Sequence, residues 1–346
     1  MQSKGYAVLE ASKPLVPFTF DRRDLRENDV ALSVSYAGIC HSDIHQAREE
    51  WGPALFPMVP GHEIAGVVTA VGSKVSKFKV GDRIGVGVFI DSCRECSSCK
   101  AGLEQYCTQG MTGTYNGYER DGKTVAQGGY SDSFVVDQDY AVKIPGNLDM
   151  AGVAPLLCAG ITLYSPLKNW GAGKGKKVGI IGLGGLGHMG LKFSAALGAH
   201  TTVFSHSPSK ETDARAMGAD DFVVTKDPEA LAKLPKDFDL ILNTVSADMN
   251  LTPFVDLLQL DGTLVLIGLP GKPYEINTPS LLGQRRSISG SMIGGIAETQ
   301  EMLDFCGKHN ILSEVEVIEP GYINEAYERT VASDVKYRFV IDAKKF

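Results

Sequence analysis

The stretch KKVGIIGLGGLGHMG puts Gly182, Gly184 and Gly187 in GxGxxG register, directly after an apolar strand-like run and at the start of a helix-like one. A lone GxGxxG is common. Its position between a strand and a helix is what gives it a physical use. Gly182 permits a tight turn, Gly184 lets the backbone approach a pyrophosphate, and Gly187 lets the helix pack close to the strand. Leu183, Gly185 and Leu186 complete a loop that leads to the free N–H groups of a helix N-terminus, where phosphates bind. This segment predicts a dinucleotide-binding α/β unit.

The chain on either side agrees. From residue 151 onward apolar runs alternate with amphipathic segments: KKVGIIG, LGHMGLKFSAALGA, TTVFS, SKETDARAMGA, DFVV, then DLILNTV, GTLVLIG and SISGSMIGG. That alternation marks βαβ units and a doubly wound parallel sheet. Residues 1 to about 150 read differently, as short β-branched strands such as 29–40, 62–72 and 81–90, broken by Gly and Pro, with little helical periodicity. An irregular, barrel-like β domain is expected there. The last fifty residues offer one helix, ETQEMLDFCGKHN, and a final strand, KYRFVID. A length of 346 residues fits two domains.

The end of the strand after the glycine loop selects the dinucleotide. An NAD site places a carboxylate there for the ribose 2′-OH. Here TTVFS ends at Ser205, followed by His206, Ser207, Ser209 and Lys210. No carboxylate repels a 2′-phosphate, and hydroxyls and a cation stand ready to bind one, so NADP(H) is expected.

Lys plus Arg is 34 and Asp plus Glu is 41, a net charge of −7, which argues against nucleic-acid and anionic-membrane partners. The N-terminus lacks a signal-like apolar region and no run approaches the length of a membrane span, so a cytoplasmic location is expected. Seven thiols in such a compartment are more often metal ligands or core residues than disulfides.

Four of them lie close together in DSCRECSSCKAGLEQYC. Cys93, Cys96 and Cys99 form CxxCxxC and Cys107 returns after a short loop. Four thiolates close a tetrahedral zinc and leave local charge 2 − 4 = −2 with no open position, so this site is expected to be structural. An iron–sulfur cluster uses similar spacing, but the usual Cys-Pro is missing. A second set is dispersed: Cys40, His41, Ser42, Asp43 and His45 in GICHSDIHQ, His62 and Glu63 in VPGHEIAG, and Cys158 in APLLCAG. Taken singly, Cys158 reads as a core cysteine and His62 as a structurally satisfied histidine.

Together GICHSD, VPGHEIAGVV, the four-cysteine loop, APLLCAGITLYSPL, GLGGLGHMG, GSMIGG and VKYRFVID resemble the zinc-dependent medium-chain alcohol dehydrogenases, within them the cinnamyl alcohol dehydrogenase-like group of NADP-dependent aldehyde reductases. The resemblance runs nearly the whole chain. It implies a GroES-like catalytic domain at 1–151 and 293–346 carrying two zinc sites, with a Rossmann NADP-binding domain at 152–292 inserted between them. It implies that Cys40, His62 and Cys158 bind a catalytic zinc, with Glu63 beside the metal and Asp43 orienting His62. It makes Ser42 and His45 the ends of a proton relay through the nicotinamide ribose, and places His41 toward the cofactor phosphates. Thr162, Thr244, Gly268, Ser291, Met292 and Ile293 match positions near the nicotinamide. A homodimer pairing edge strands near SISGSMI is implied as well.

One departure concerns the substrate. Plant members of the group carry a bulky aromatic before Thr114-Tyr115-Asn116, where this chain has Gly113, and Trp51 offers a wall from another direction. A broad range of aliphatic and aromatic aldehydes is therefore expected. The alternatives are a polyol or secondary-alcohol dehydrogenase, in which Glu often stands at the place of Cys158, a quinone-reductase relative without metal sites, and a zinc-stabilised binding protein.

Overall fold

A computed structural model of the chain describes the backbone of all 346 residues and every side chain except that of Pro228. The chain forms two units, Met1–Ile161 with Gly294–Phe346, and Thr162–Ile293. The first division falls at 161/162, past the 151/152 at which the sequence texture changes. The reason is local packing: the apolar turns Met150–Val153 and Ala154–Leu157 lie on the strands Asp29–Gly38 and Ile64–Val71.

The unit Thr162–Ile293 is built on one six-stranded parallel sheet. Its strands lie in the order Asp221–Val224, His200–Ser205, Lys177–Ile181, Phe238–Asn243, Leu258–Leu266 and Ser287–Gly290. In chain order that is 3-2-1-4-5-6, the doubly wound arrangement with its switch point between strands 1 and 4. Strands covered on both faces need continuous apolar runs, which is why KVGII and LILN are buried almost throughout. Phe204, Phe238, Ile241, Leu258 and Leu264 join one core. The helix Gly187–Ala196 follows the first strand directly through the glycine loop.

The other unit is organised around the strand Asp29–Gly38. Ile64–Val71 pairs antiparallel along one side, and the other side is shared by Ser133–Asp137 and, further along, Arg338–Asp342. Arg83–Val86 and Val142–Lys143 extend the sheet beyond Ile64–Val71, and Val315–Ile318 extends it beyond Arg338–Asp342. Register shifts at Ala31/Leu32 and Val34/Tyr36 bend the central strand, as irregular barrel sheets require. This strand ends two residues before Cys40, and the terminal strand runs beside that end.

Helix is more frequent here than the sequence suggests. His41–Ala47 and Ser97–Lys100 are helical, and the last fifty residues hold a second helix, Ile323–Val331, and an extra strand, Val315–Ile318. In Ile323–Val331 the buried residues Ile323, Ala326, Tyr327 and Thr330 recur at three- and four-residue intervals. Two of them are only weakly apolar, which hides the stripe in the sequence. Among the described residues no single helix is long and apolar enough to cross a membrane.

Candidate active site

The dispersed set converges. Ligand atoms of Cys40, His62, Glu63 and Cys158 all lie within 4.8 Å of one another, and all four residues are buried. Cys40 Sγ is 4.0 Å from Cys158 Sγ, and His62 Nε2 is 3.3 Å from Cys158 Sγ. A tetrahedral zinc with sulfur ligands at about 2.3 Å has S···S edges of about 3.8 Å and N···S edges near 3.6 Å, so the donor spacing fits that ion. Two thiols, an imidazole and a carboxylate also form the borderline-soft donor set that zinc prefers. Local structure delivers each ligand: Cys40 caps the helix His41–Ala47, His62 and Glu63 precede the strand Ile64–Val71, and Cys158 follows the turn Ala154–Leu157.

Asp43 organises the centre from behind. Completely buried, it accepts from the Cys40 N–H at 2.9 Å, the Gly61 N–H at 3.2 Å, the Tyr130 hydroxyl at 3.0 Å and His62 Nδ1 at 3.1 Å. With Nδ1 donating to Asp43, Nε2 is the ring atom left to face a metal. Burial opposes charge on the His62 ring, but Asp43 holds its pKa well above the usual imidazole range. The contact between the Cys40 and Cys158 sulfurs holds Cys40 well below the ordinary thiol range and pushes Cys158 above it.

Glu63 is fully buried, and neither carboxylate oxygen accepts a well-formed hydrogen bond among the described residues. Burial pushes its pKa up to about 8, against the pull of Arg338, whose Nη2 lies 3.4 Å from Oε1. A carboxylate so poorly satisfied suits a neighbouring cation. Sequence reasoning assigned no role to Arg338 or Tyr130. An arginine inside the apolar strand RFVID was the available signal for the first.

Ser42 Oγ lies 3.6 Å from Cys40 Sγ. His45, one helical turn on, is partly exposed; its Nδ1 pairs with Glu50 and its ring stacks on Trp51 at 4.7 Å. Trp51 therefore packs on His45 and remains 46% exposed. His41 is exposed, its ring 5.8 Å from that of His45.

The four-cysteine loop forms a second donor cluster. Cys93 and Cys99 sulfurs are 3.8 Å apart and Cys96 and Cys99 sulfurs 3.5 Å, again tetrahedral edges. Backbone N–H groups of Cys93, Cys96 and Cys99 point at sulfurs of Cys107, Cys93 and Cys96. The Cys99 N–H pulls Cys96 down to about 5, while burial raises Cys99 to about 11. Buried Ser92 touches Cys99 Sγ at 3.1 Å and the Tyr140 hydroxyl at 2.7 Å. Every position around such an ion is taken by the chain.

The residues expected to hold the dinucleotide, His41 and Ser42 apart, all belong to the parallel-sheet unit. Gly182 has φ +92°, and a Cβ on Gly187 would stand 2.0 Å from Gly182 O, whereas a Cβ on Gly184 meets nothing within 4 Å. Leu183 is buried, while Gly185 and Leu186 are half-buried. Ser205 is buried and its hydroxyl accepts from the Ser207 N–H at 3.2 Å; His206 is exposed. Lys210 Nζ donates to Leu183 O at 2.8 Å, which anchors that cation at the glycine loop, and burial lowers its pKa. Thr244 donates to Ile181 O at 2.7 Å, and the Gly268 N–H reaches Asn243 O at 3.0 Å. Thr162 is buried; Ser291 donates its N–H to Leu266 O, Met292 is exposed, and Ile293 is buried with φ +41°.

Comparison with known proteins gives the same pattern. Residues 26–146 match the alcohol dehydrogenase GroES-like domain, and residues 185–308 the zinc-binding dehydrogenase family. The chain is 59% identical over 339 residues to NADP-dependent alcohol dehydrogenase C 1 of Mycolicibacterium smegmatis, covering 98% of this chain and 97% of that one. It is 50% identical over 344 residues to aldehyde reductase YahK of Escherichia coli, with 99% and 98% covered. Among solved structures, cinnamyl alcohol dehydrogenase SbCAD4 of Sorghum bicolor superposes with a TM-score of 0.96 at 43% identity, covering 99% of this chain and 98% of that one. The Helicobacter pylori enzyme CAD complexed with NADP(H) gives 0.93 at 42%, with 100% and 99% covered.

Proposed function

The chain belongs to the zinc-dependent medium-chain alcohol dehydrogenases, in their cinnamyl alcohol dehydrogenase-like group, and from that premise we propose that it uses NADPH to reduce a broad range of aliphatic and aromatic aldehydes to primary alcohols. The observation that carries the reading is the buried convergence of Cys40, His62 and Cys158 with Asp43 behind the histidine. In this reading the GroES-like unit holds both zinc sites and the parallel-sheet unit holds the dinucleotide.

Cys40, His62 and Cys158 hold the catalytic zinc, with Glu63 beside them, and the four-cysteine loop holds the structural one. When bound, zinc supplies Lewis-acid polarisation of a carbonyl oxygen and reduced nicotinamide supplies a hydride. Two thiolates balance the charge of the ion, 2 − 2 = 0, and Asp43 fixes the ring that completes the set. Ser42, beside Cys40, is placed to pass a proton to the developing alcohol. His45, partly exposed and steadied by Glu50 and Trp51, exchanges that proton with solvent. His41, Thr162, Thr244, Gly268, Ser291, Met292 and Ile293 contact the cofactor, as the glycine loop does. Ser205, His206, Ser207 and Lys210 meet the 2′-phosphate, supported by the Lys210 ammonium held at the loop. Gly113, standing where plant members of the group carry a bulky aromatic, supports the broad aldehyde range in this reading.

A homodimer belongs to the same reading. The strand Ser287–Gly290 is a sheet edge, and Leu260 and Leu282 stand exposed at 58% and 76% near it. A second copy adding its own edge would cover them. The seven cysteines, none in a disulfide among the described residues, suit a reducing, cytoplasmic setting.

The test measures zinc per chain by atomic spectroscopy and compares NADPH with NADH oxidation over a panel of aldehydes. Two zinc ions per chain and aldehyde-dependent oxidation of NADPH in preference to NADH are expected. One metal per chain, or no aldehyde-dependent oxidation, sinks the reading.

A further inference from the structure

Two donors converge on one carbonyl of the glycine loop. The backbone N–H of His188 lies 3.0 Å from Gly184 O, and ring Nδ1 of the same residue lies 3.0 Å from the same oxygen. The ring is completely buried, although it opens a helix next to an exposed glycine. A merely space-filling side chain at this place would need no nitrogen.

Gly184 and Gly185 form the least constrained pair in the loop, since neither has a Cβ and glycine has the most backbone freedom to lose on ordering. A Cβ placed on Gly184 meets nothing within 4 Å, so packing does not hold this peptide from the outside. The helix Gly187–Ala196 has no side-chain hydrogen bond at its N-cap, Leu186, so its first N–H groups have no side-chain acceptor there. In a trans peptide the C=O and the following N–H point in opposite directions. Fixing Gly184 C=O toward the helix body therefore turns the Gly185 N–H outward, to the side from which an anion approaches a helix N-terminus.

We propose that His188 is a positioning residue for the dinucleotide: its Nδ1–H clamps the Gly184–Gly185 peptide and presents the Gly185 N–H to the pyrophosphate. The inference rests on reading this loop as the NADP site. It assigns the buried histidine of GLGGLGHMG a part in cofactor binding although it touches no cofactor atom.

The experiment is a fluorescence titration of purified, zinc-loaded protein with NADPH, and a competition titration with adenosine 2′-monophosphate, which carries the 2′-phosphate but no pyrophosphate. His188→Leu fills the buried space without a donor, and His188→Asn restores an N–H near the place of Nδ1. Loss of one preorganising hydrogen bond predicts an NADPH Kd about tenfold higher for His188→Leu, and within about threefold of wild type for His188→Asn. Kd for adenosine 2′-monophosphate stays within about twofold in both, because the clamp acts on the pyrophosphate alone. An unchanged NADPH Kd in the Leu variant, or a parallel loss of both ligands, overturns the clamp. Should the Leu variant not fold, His188→Gln replaces it, with its donor displaced from the Nδ1 position, and equal NADPH affinity of the Asn and Gln variants overturns the clamp. Wild-type protein that binds neither ligand overturns the cofactor reading itself, a result distinct from unaltered variants.

Discussion

Asp43 is the residue on which the candidate metal centre turns. Its carboxylate accepts from four donors at once, three of them carried by or next to the proposed zinc ligands Cys40 and His62. Asp43→Asn keeps the shape but turns one acceptor into an NH₂ group facing N–H and O–H donors, so His62 loses its orientation. Partners of metal-bound histidines contribute about 10- to 100-fold in affinity or activity, and a fall of that size is expected in kcat/KM and in zinc retained against a chelator. Full zinc retention with wild-type turnover would refute the assignment. Cys306 shows the opposite case, a thiol with a partner but no chemistry. It is wholly buried with Sγ 3.6 Å from Met302 Sδ, and burial pushes it up to about 12. It should resist iodoacetamide at pH 8 in the native protein and be labelled only after unfolding, as peptide mass spectrometry would record. Because its folded pKa lies above its unfolded value, the folded state holds the extra proton. Its contribution to stability is complete below pH 9 and declines as pH rises toward about 12.

Elements differ in how far the sequence reveals them. The strand, glycine turn and helix at 177–196 are legible because the signals that mark them, an apolar run, three glycines and a helical periodicity, are consecutive in the chain. The four-cysteine loop is legible for the same reason, its ligands falling within fifteen positions, 93 to 107. The catalytic set is not: Cys40 and Cys158 are 118 residues apart, and only resemblance joins them before the fold does. Tyr130, 87 residues from Asp43, and Arg338 beside Glu63 had no such help, since a tyrosine or arginine in a β segment has many ordinary uses. Within the glycine turn two substitutions of equal size should behave differently. Gly187→Ala drives a Cβ to 2.0 Å from the rigid Gly182 carbonyl, so the helix must move and the melting temperature should fall by several degrees. Gly184→Ala meets open space, so folding is preserved while the methyl occupies the approach of the pyrophosphate. Thermal melts and NADPH titrations on both variants decide it; a Gly184→Ala protein that melts early, or binds NADPH normally, would contradict the argument.

For the whole molecule, two zinc sites of different character predict that metal loss happens in two stages with separate consequences. Both ions stabilise the fold by linkage, since the unfolded chain cannot assemble either donor set. The four-cysteine site would fill all four positions of its ion with sulfur, with N–H···S contacts among its own residues, so a chelator would find no free position through which to begin an exchange. In the proposed reading Cys40, His62 and Cys158 would leave one position of their ion open, and Glu63, whose carboxylate lies within 4.8 Å of the other donors, would take part as a ligand leaves. A bidentate chelator such as 1,10-phenanthroline should therefore remove about one zinc per chain first and abolish turnover, with most of the thermal stability retained. The second zinc should leave only under a thiol-reactive mercurial or in Cys99→Ser, where the melting temperature falls by about 5 °C or more and the loop at 92–113 becomes cleavable by proteases. Zinc content, turnover and melting temperature followed in one titration separate the stages. Simultaneous loss of both ions in a single cooperative melt would mean that the two centres are not independent supports of the fold.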